Sequence, residues 1–289
     1  MALATFVTTE PFALGETVTL GEDEARHMRV LRLGVGQPAG LLDGRGTRGL
    51  GVLVRLAKRH AAVNVESVST VEPPPSVHLI LPVADRDRML WLAEKATELA
   101  ATSWRPVMFK RSKSVNPRGE GTLFQQKVAA RMAGALGQSH GAWLPVAYPE
   151  ATVERAIAAT PDGPRLVLDM AGEPIGLLMA EAIANAREHG AGFLKPITLV
   201  VGPEGGLESA ELEQFKTAGF RPVSLAHTVL RFETAGVAAL AVVRAALATL
   251  PRTIKAGRDA ASSPESAGPR SRAGDDHEPG DELEEIGNG

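Results

Sequence analysis

The segment ITLVVGPEGGLESAELEQF places Gly202, Pro203, Glu204, Gly205 and Gly206 directly behind a run of apolar residues. Glycine lets backbone approach a ligand closely, and ligands bind at the strand ends of open α/β sheets, so this loop is a candidate site. It is not a dinucleotide fingerprint, which needs G-x-G-x-x-G, nor a P-loop, which needs a G-K-[ST] ending. Glu208, Glu211 and Glu213 crowd the start of the following helix and disfavour a phosphate there. By spacing alone the loop also suits an ordinary tight turn. Downstream, RPVSLAHTVLRFETAG repeats the order of strand, loop and helix, and it puts Arg231 at the entrance to a helix that is apolar on nearly every face. An arginine entering such an element needs a partner or a ligand. A third feature is EARHMRVLRL, where Arg26, His27, Arg29 and Arg32 fall within two turns and form either a solvated face or a phosphate-contacting edge. The chain has no cysteine, which excludes a disulfide framework and thiolate chemistry, and its seven histidines are dispersed without metal-ligand spacing.

These groups need a scaffold, and 289 residues at 44% hydrophobic composition can supply at least one buried core. Up to about Thr70 short alternating segments (ATFV, ETVTL, AGLLD, GLGVLVRL, AAVNVESV) predict a small β-barrel interrupted by one helix from near Glu22, with Asp43-Gly44 as a hairpin signal. Pro73, Pro74 and Pro75 read as a stiff connection. Beyond them, strands alternate with helices: VHLILPV, a helix over Met89 to Leu99, RPVMF, a helix near Thr122 to Leu136, RLVLD, a helix near Gly176 to Arg187, ITLVV, a helix from Leu207, RPVSL and a last helix to Leu250. Such alternation predicts an α/β domain with a largely parallel sheet covered on both faces. The expected division is 1–72, 73–250 and a tail, 251–289. The tail carries five basic and nine acidic residues, so the net charge of −3 leaves residues 1–250 at +1. Poor in large apolar residues, it predicts disorder. No stretch is long and apolar enough to cross a bilayer and MALATFVTTE has no signal pattern, so the expected location is cytoplasmic.

The two loop segments together, VVGPEGGLESAELEQFKTAGFRPVSLAHTVLRFETAGVAAL, closely resemble the knotted SPOUT-class 16S ribosomal RNA uridine-N3 methyltransferases, whose signature is a GPEGG loop followed by an LR-x-ETA segment. Upstream, RHMRVLRLGVGQ looks like that family's N-terminal PUA-like helix and EKATELAATSWRPVMFKRS like its first methyltransferase helix and strand, so the resemblance covers residues 1–250. Ala226 stands where the family usually has Gly, Phe232 where it usually has Thr, and GQSHGAW (Gly137 to Trp143) where a more basic run is usual. The fold implied is a PUA-like β-barrel plus a SPOUT α/β domain tied in a trefoil knot, working as a homodimer. The cofactor implied is S-adenosyl-L-methionine, held by Val201, Gly202, Pro203, Glu204, Gly205 and Gly206 and by Leu225, Ala226, Val229, Leu230 and Arg231.

The reaction implied is methyl transfer to N3 of a uridine in 16S ribosomal RNA of the small subunit. That nitrogen is a poor nucleophile until it loses its proton, so the site must align the reactants and meet charge developing on the uracil oxygens. Arg231 is the first choice for that charge. Glu204, Glu233 and His227 are eligible by position for proton removal, and Glu204 can instead face the sulfonium or brace the loop. RNA contacts are expected from Arg26, Arg29 and Arg32, and from Lys110, Arg111 and Lys113 in FKRSKS, which also suits a solvated turn. With 4% aromatic residues, base-stacking platforms are not expected; shape and phosphate recognition of folded RNA, with one uridine extruded, is. Two rivals remain open: a SPOUT ribose 2′-O-methyltransferase, and a non-catalytic RNA-binding assembly factor. Neither these nor the main reading needs a metal.

Overall fold

The structure is a computed structural model that describes residues 3–8, 10–114, 117–189 and 195–250. The expected disordered tail lies outside the described residues. Residues up to 251 form one compact unit containing two sheets. The first has five strands, β1 (Thr5–Val7), β2 (Thr17–Leu20), β3 (Pro38–Leu42), β4 (Thr47–Leu56) and β5 (Ala61–Thr70), in the order β1-β3-β4-β5-β2. All its pairings are antiparallel except β1 with β3. The helix predicted from Glu22 is α1 (Glu22–Val30), whose Ala25 and Met28 are buried against the sheet's core while its charged residues face solvent. The hairpin signal holds: Gly44 has φ 68°, and Asp43 accepts bonds from the Arg45 and Thr47 amides at 2.7 and 2.8 Å.

The second sheet has six parallel strands: β6 (Val77–Pro82), β7 (Ser103–Val107), β8 (Val146–Ala147), β9 (Arg165–Pro174), β10 (Ile197–Val200) and β11 (Arg221–Ser224). Their order is β11-β9-β10-β6-β7-β8. Parallel strands bury both faces, and the apolar runs VHLILP and ITLV do so here. One face carries α2 (Arg86–Glu98), α3 (Thr122–Ser139), α5 (Ile175–His189) and α7 (Phe232–Leu247). The other carries α4 (Val153–Ala158) and α6 (Ser209–Thr217). Helix α4 and strand β8 are too short to leave a periodic signal and were not expected. The helix expected from Leu207 begins two residues later, with Glu208 as its N-cap.

The connections between the two sheets are specific. Trp143 donates from Nε1 to the Val71 carbonyl at 2.9 Å and lies so close to Gly46 that a Cβ there would stand 2.5 Å from its ring. Gly46 in turn donates to the Ala142 carbonyl at 2.9 Å. The altered GQSHGAW stretch is therefore a fastening between the two sheets. Arg244, deep on α7, donates to the carbonyls of Leu99 at 3.0 Å, Pro75 at 2.5 Å and Ala100. Burial lowers its pKa to about 10, and these carbonyl partners offset that desolvation while satisfying the open end of α2.

Candidate active site

The carboxyl ends of β6, β10 and β11 point their following loops to one region, and parallel sheets place ligands there. Behind β10, Val201 and Pro203 are buried while Glu204, Gly205 and Gly206 are exposed. Gly206 has φ 74° and donates to the Pro203 carbonyl at 2.7 Å, so the loop turns where only glycine does so without strain. A Cβ on Gly205 would stand 3.1 Å from Arg111 Cδ, and one on Gly202 would stand 3.2 Å from Leu207 Cγ. Gly206 thus requires glycine for its backbone conformation, while side chains at Gly202 and Gly205 would crowd Leu207 and Arg111, so the loop presents bare backbone.

The acids of α6 have a structural task. Glu208 and Glu211 form a capping box, and Glu211, buried at 7% exposure, accepts the Glu208 amide at 2.9 Å and the Lys110 amide at 2.8 Å. It thereby braces a 3₁₀ turn, Lys110–Ser114, against the glycine loop. Lys110 Nζ lies 3.1 Å from Glu208, and the Arg111 guanidinium donates to the Gly205 carbonyl. Of the FKRSKS cations, Arg111 thus engages the candidate cofactor loop and Lys110 the N-cap of α6; the Lys113 side chain lies outside the described residues.

A cleft of about 220 Å³ is lined by Arg88, Glu204, Val229, Leu230 and Arg231, so the structure gathers four residues singled out from sequence. Leu225 is half-buried against the main core, while Ala226 and His227 are exposed on the same loop. Arg231 is exposed and has no ion-pair partner among the described residues. The fifth lining residue, Arg88, was not singled out. It sits in the first turn of α2, its amide held by Asp85 at 3.0 Å, and its guanidinium pairs with Glu204 and lies 3.8 Å from Glu233. The signal was available in ADRDRM, an arginine one turn into the helix behind a strand end, but only the tertiary fold shows which loop it meets. Phe232, which departs from the usual Thr, is 2% exposed in the main core, so its role is packing.

Arg26, Arg29 and Arg32 are exposed on and just behind α1. Arg26 pairs with Asp23 at 2.5 Å, and Arg29 donates to the Ala57 carbonyl at 3.2 Å. A larger groove, about 850 Å³, runs between α1 and the α2–α3 pair, lined in part by His27, Glu94, Lys95, Lys127 and Arg131. Its charges largely cancel, since Glu94 holds both Lys95 and Arg131, and it has no backbone cradle. The strand-end cleft is therefore the better chemical candidate. No group of residues that could hold a metal occurs among the described residues.

A five-stranded sheet is thus joined to a parallel α/β region that carries a glycine-rich loop at its strand ends. Residues 71–244 match the RNA methyltransferase domain and 20–66 the RNA methyltransferase PUA domain, and the chain belongs to this RNA methyltransferase family. It is 31% identical over 239 residues to ribosomal RNA small subunit methyltransferase E of Synechocystis sp., covering 80% of this chain and 74% of that protein. The ribosomal RNA small subunit methyltransferase E of Mycobacterium bovis is 28% identical to this chain over 248 residues, covering 84% of this chain and 91% of that protein. The crystal structure of the Neisseria gonorrhoeae ribosomal RNA small subunit methyltransferase E bound to S-adenosyl methionine superposes with a TM-score of 0.73 at 27% identity, covering 84% of this chain and 98% of that one.

Proposed function

We propose that this chain methylates N3 of a uridine in 16S ribosomal RNA of the small subunit, using S-adenosyl-L-methionine. The observation that carries this reading is the cleft where the Gly202–Gly206 loop meets Leu230 and the exposed Arg231. The relatives named above support the cofactor and the ribosomal substrate. The cofactor supplies a methyl group on a positively charged sulfur. Val201 to Gly206, with Leu225, Ala226, Val229, Leu230 and Arg231, hold it through backbone donors and apolar walls. Arg231 faces the negative charge that builds on uracil as N3 loses its proton. We assign proton acceptance to the carboxylates of this cleft, Glu204 foremost. Residues 1–72 act as the RNA-docking domain, 73–250 as the catalytic domain with its C-terminal segment knotted, and 251–289 as an appendage. We place the enzyme in the cytoplasm; no helix among the described residues is long and apolar enough to cross a membrane.

Methyl transfer from labelled S-adenosylmethionine to small subunits lacking the modification, with the product nucleoside identified by mass spectrometry, tests this. Recovery of 3-methyluridine is expected. A 2′-O-methyl nucleoside moves the chain to the rival chemistry, failure to bind the cofactor favours a silent assembly factor, and cofactor binding without product points to a different substrate. Phosphate docking by α1 predicts that Arg29→Ala weakens RNA binding and reduces the slope of log K against log salt by about 1. A slope equal to the parent's removes Arg29 from the interface. A homodimer is supported by α5 and α7, which expose Leu177 at 65% and Val242 at 37% beside a shallow groove lined by Met179, Ile183 and Ala246. Val242→Asp is expected to shift sedimentation toward the monomer. A sedimentation coefficient unaltered by the substitution places the subunit contact elsewhere.

A further inference from the structure

Arg88 is the residue in the cleft that neither spacing nor resemblance supplied. It joins three segments that are distant in sequence: the start of α2 behind β6, Glu204 in the loop behind β10, and Glu233 in the first turn of α7. Stability does not account for it. The Arg88 and Glu204 side chains are 33% and 48% exposed, and pairs so open to water contribute about 1 kcal/mol or less to folding. Glu233 is different: its side chain is 12% exposed, and its Oε2 is buried without a hydrogen-bond partner. Among the described residues Arg88 is the cation within ion-pair reach of either carboxylate. One guanidinium thus serves two acids beside the glycine loop, in a cleft it shares with Arg231.

We propose that Arg88 is the positioning residue of the cofactor site, which fixes Glu204 and mutes the negative charge that a bound sulfonium meets. This rests on the functional reading above and deepens it. The substrate S-adenosylmethionine and the product S-adenosylhomocysteine differ by one methyl group and one positive charge. A nearby carboxylate favours the cation, and a guanidinium clamped on that carboxylate offsets the preference. Arg88 therefore sets how strongly the site prefers incoming cofactor over spent product, while Glu204 and Glu233 stay fixed relative to α2.

Calorimetric titration of the full chain with each of the two ligands tests this, with thermal melting recorded in parallel. In R88M the uncompensated carboxylates should raise the affinity ratio of S-adenosylmethionine to S-adenosylhomocysteine by about threefold or more. R88K, which keeps the charge, should stay near the parental ratio, and in an E204Q background the R88M shift should fall to less than half. E204Q alone should move the ratio the other way, which keeps the test decisive if R88M does not fold. A residue that merely supports the loop alters both affinities together. Equal changes for both ligands in R88M, or an E204Q ratio equal to the parent's, overturn the assignment of Arg88 alone. A parent chain that binds neither ligand overturns the functional reading and this inference with it.

Discussion

Replacing Arg231 with alanine is expected to lower the rate of methyl transfer by roughly a hundredfold or more, with the cofactor Kd changing by less than about threefold. The fold has little stake in this side chain. Arg231 caps α7 only through its backbone, accepting the Ala235 amide at 2.8 Å, and its side chain makes no capping bond. Alanine preserves that bond and removes the exposed guanidinium from the cleft. In the proposed reaction uracil gains negative charge only as its N3 proton leaves, so the lost interaction is one that strengthens in the transition state and shows in kcat. Arg231→Lys keeps the charge without the planar fork and should recover part of the rate. Single-turnover kinetics at saturating cofactor separate chemistry from binding. A parental rate in Arg231→Ala excludes this residue from the reaction.

The second large effect is expected at Glu211. Its buried carboxylate accepts the Lys110 amide with one oxygen and the Glu208 amide with the other. Glu211→Leu leaves both donors without their acceptor, and such losses cost about 2–4 kcal/mol in sum. The same change frees the 3₁₀ turn that seats Arg111 on the Gly205 carbonyl, so cofactor affinity should fall along with stability. Glu211→Gln retains one acceptor oxygen and should lie between the two. Urea denaturation gives the stability, and calorimetry gives the affinity. If Glu211→Leu unfolds at the parental midpoint and binds cofactor with parental affinity, the brace has no role.

The contrast between Glu211 and Glu204 shows how local pattern and tertiary contact divide the task. Both are glutamates within ten residues on the same strand-loop-helix unit. The helix-start position of Glu211 was readable, and it set this loop apart from a phosphate cradle. That its second oxygen reaches back to Lys110, a hundred residues earlier, was not readable, because a carboxylate carries no mark of which distant amide it will satisfy. The same holds for Lys110 and Arg111. Their charge suggests phosphate contact, whereas their neighbours in space are Glu208 and Gly205.

What the residues alone determined is the class of scaffold and the place of the candidate site. Alternation in the first 70 residues, continuous apolar runs such as ITLVV, three glycines behind one of them and an arginine before the last helix are local signals, and local signals survive in a linear reading. The strand order β11-β9-β10-β6-β7-β8 was decided only in three dimensions. So were the fastening of GQSHGAW onto the first sheet, the burial of Phe232 and the meeting of Arg88 with Glu204 and Glu233. Each depends on contacts between segments far apart along the chain, where side-chain type states what a partner must be without stating which partner it is. Ion pairs are the extreme case. Any of the chain's 31 basic residues could neutralise Glu204, and it is the adjacency of β6 and β10 that selects Arg88.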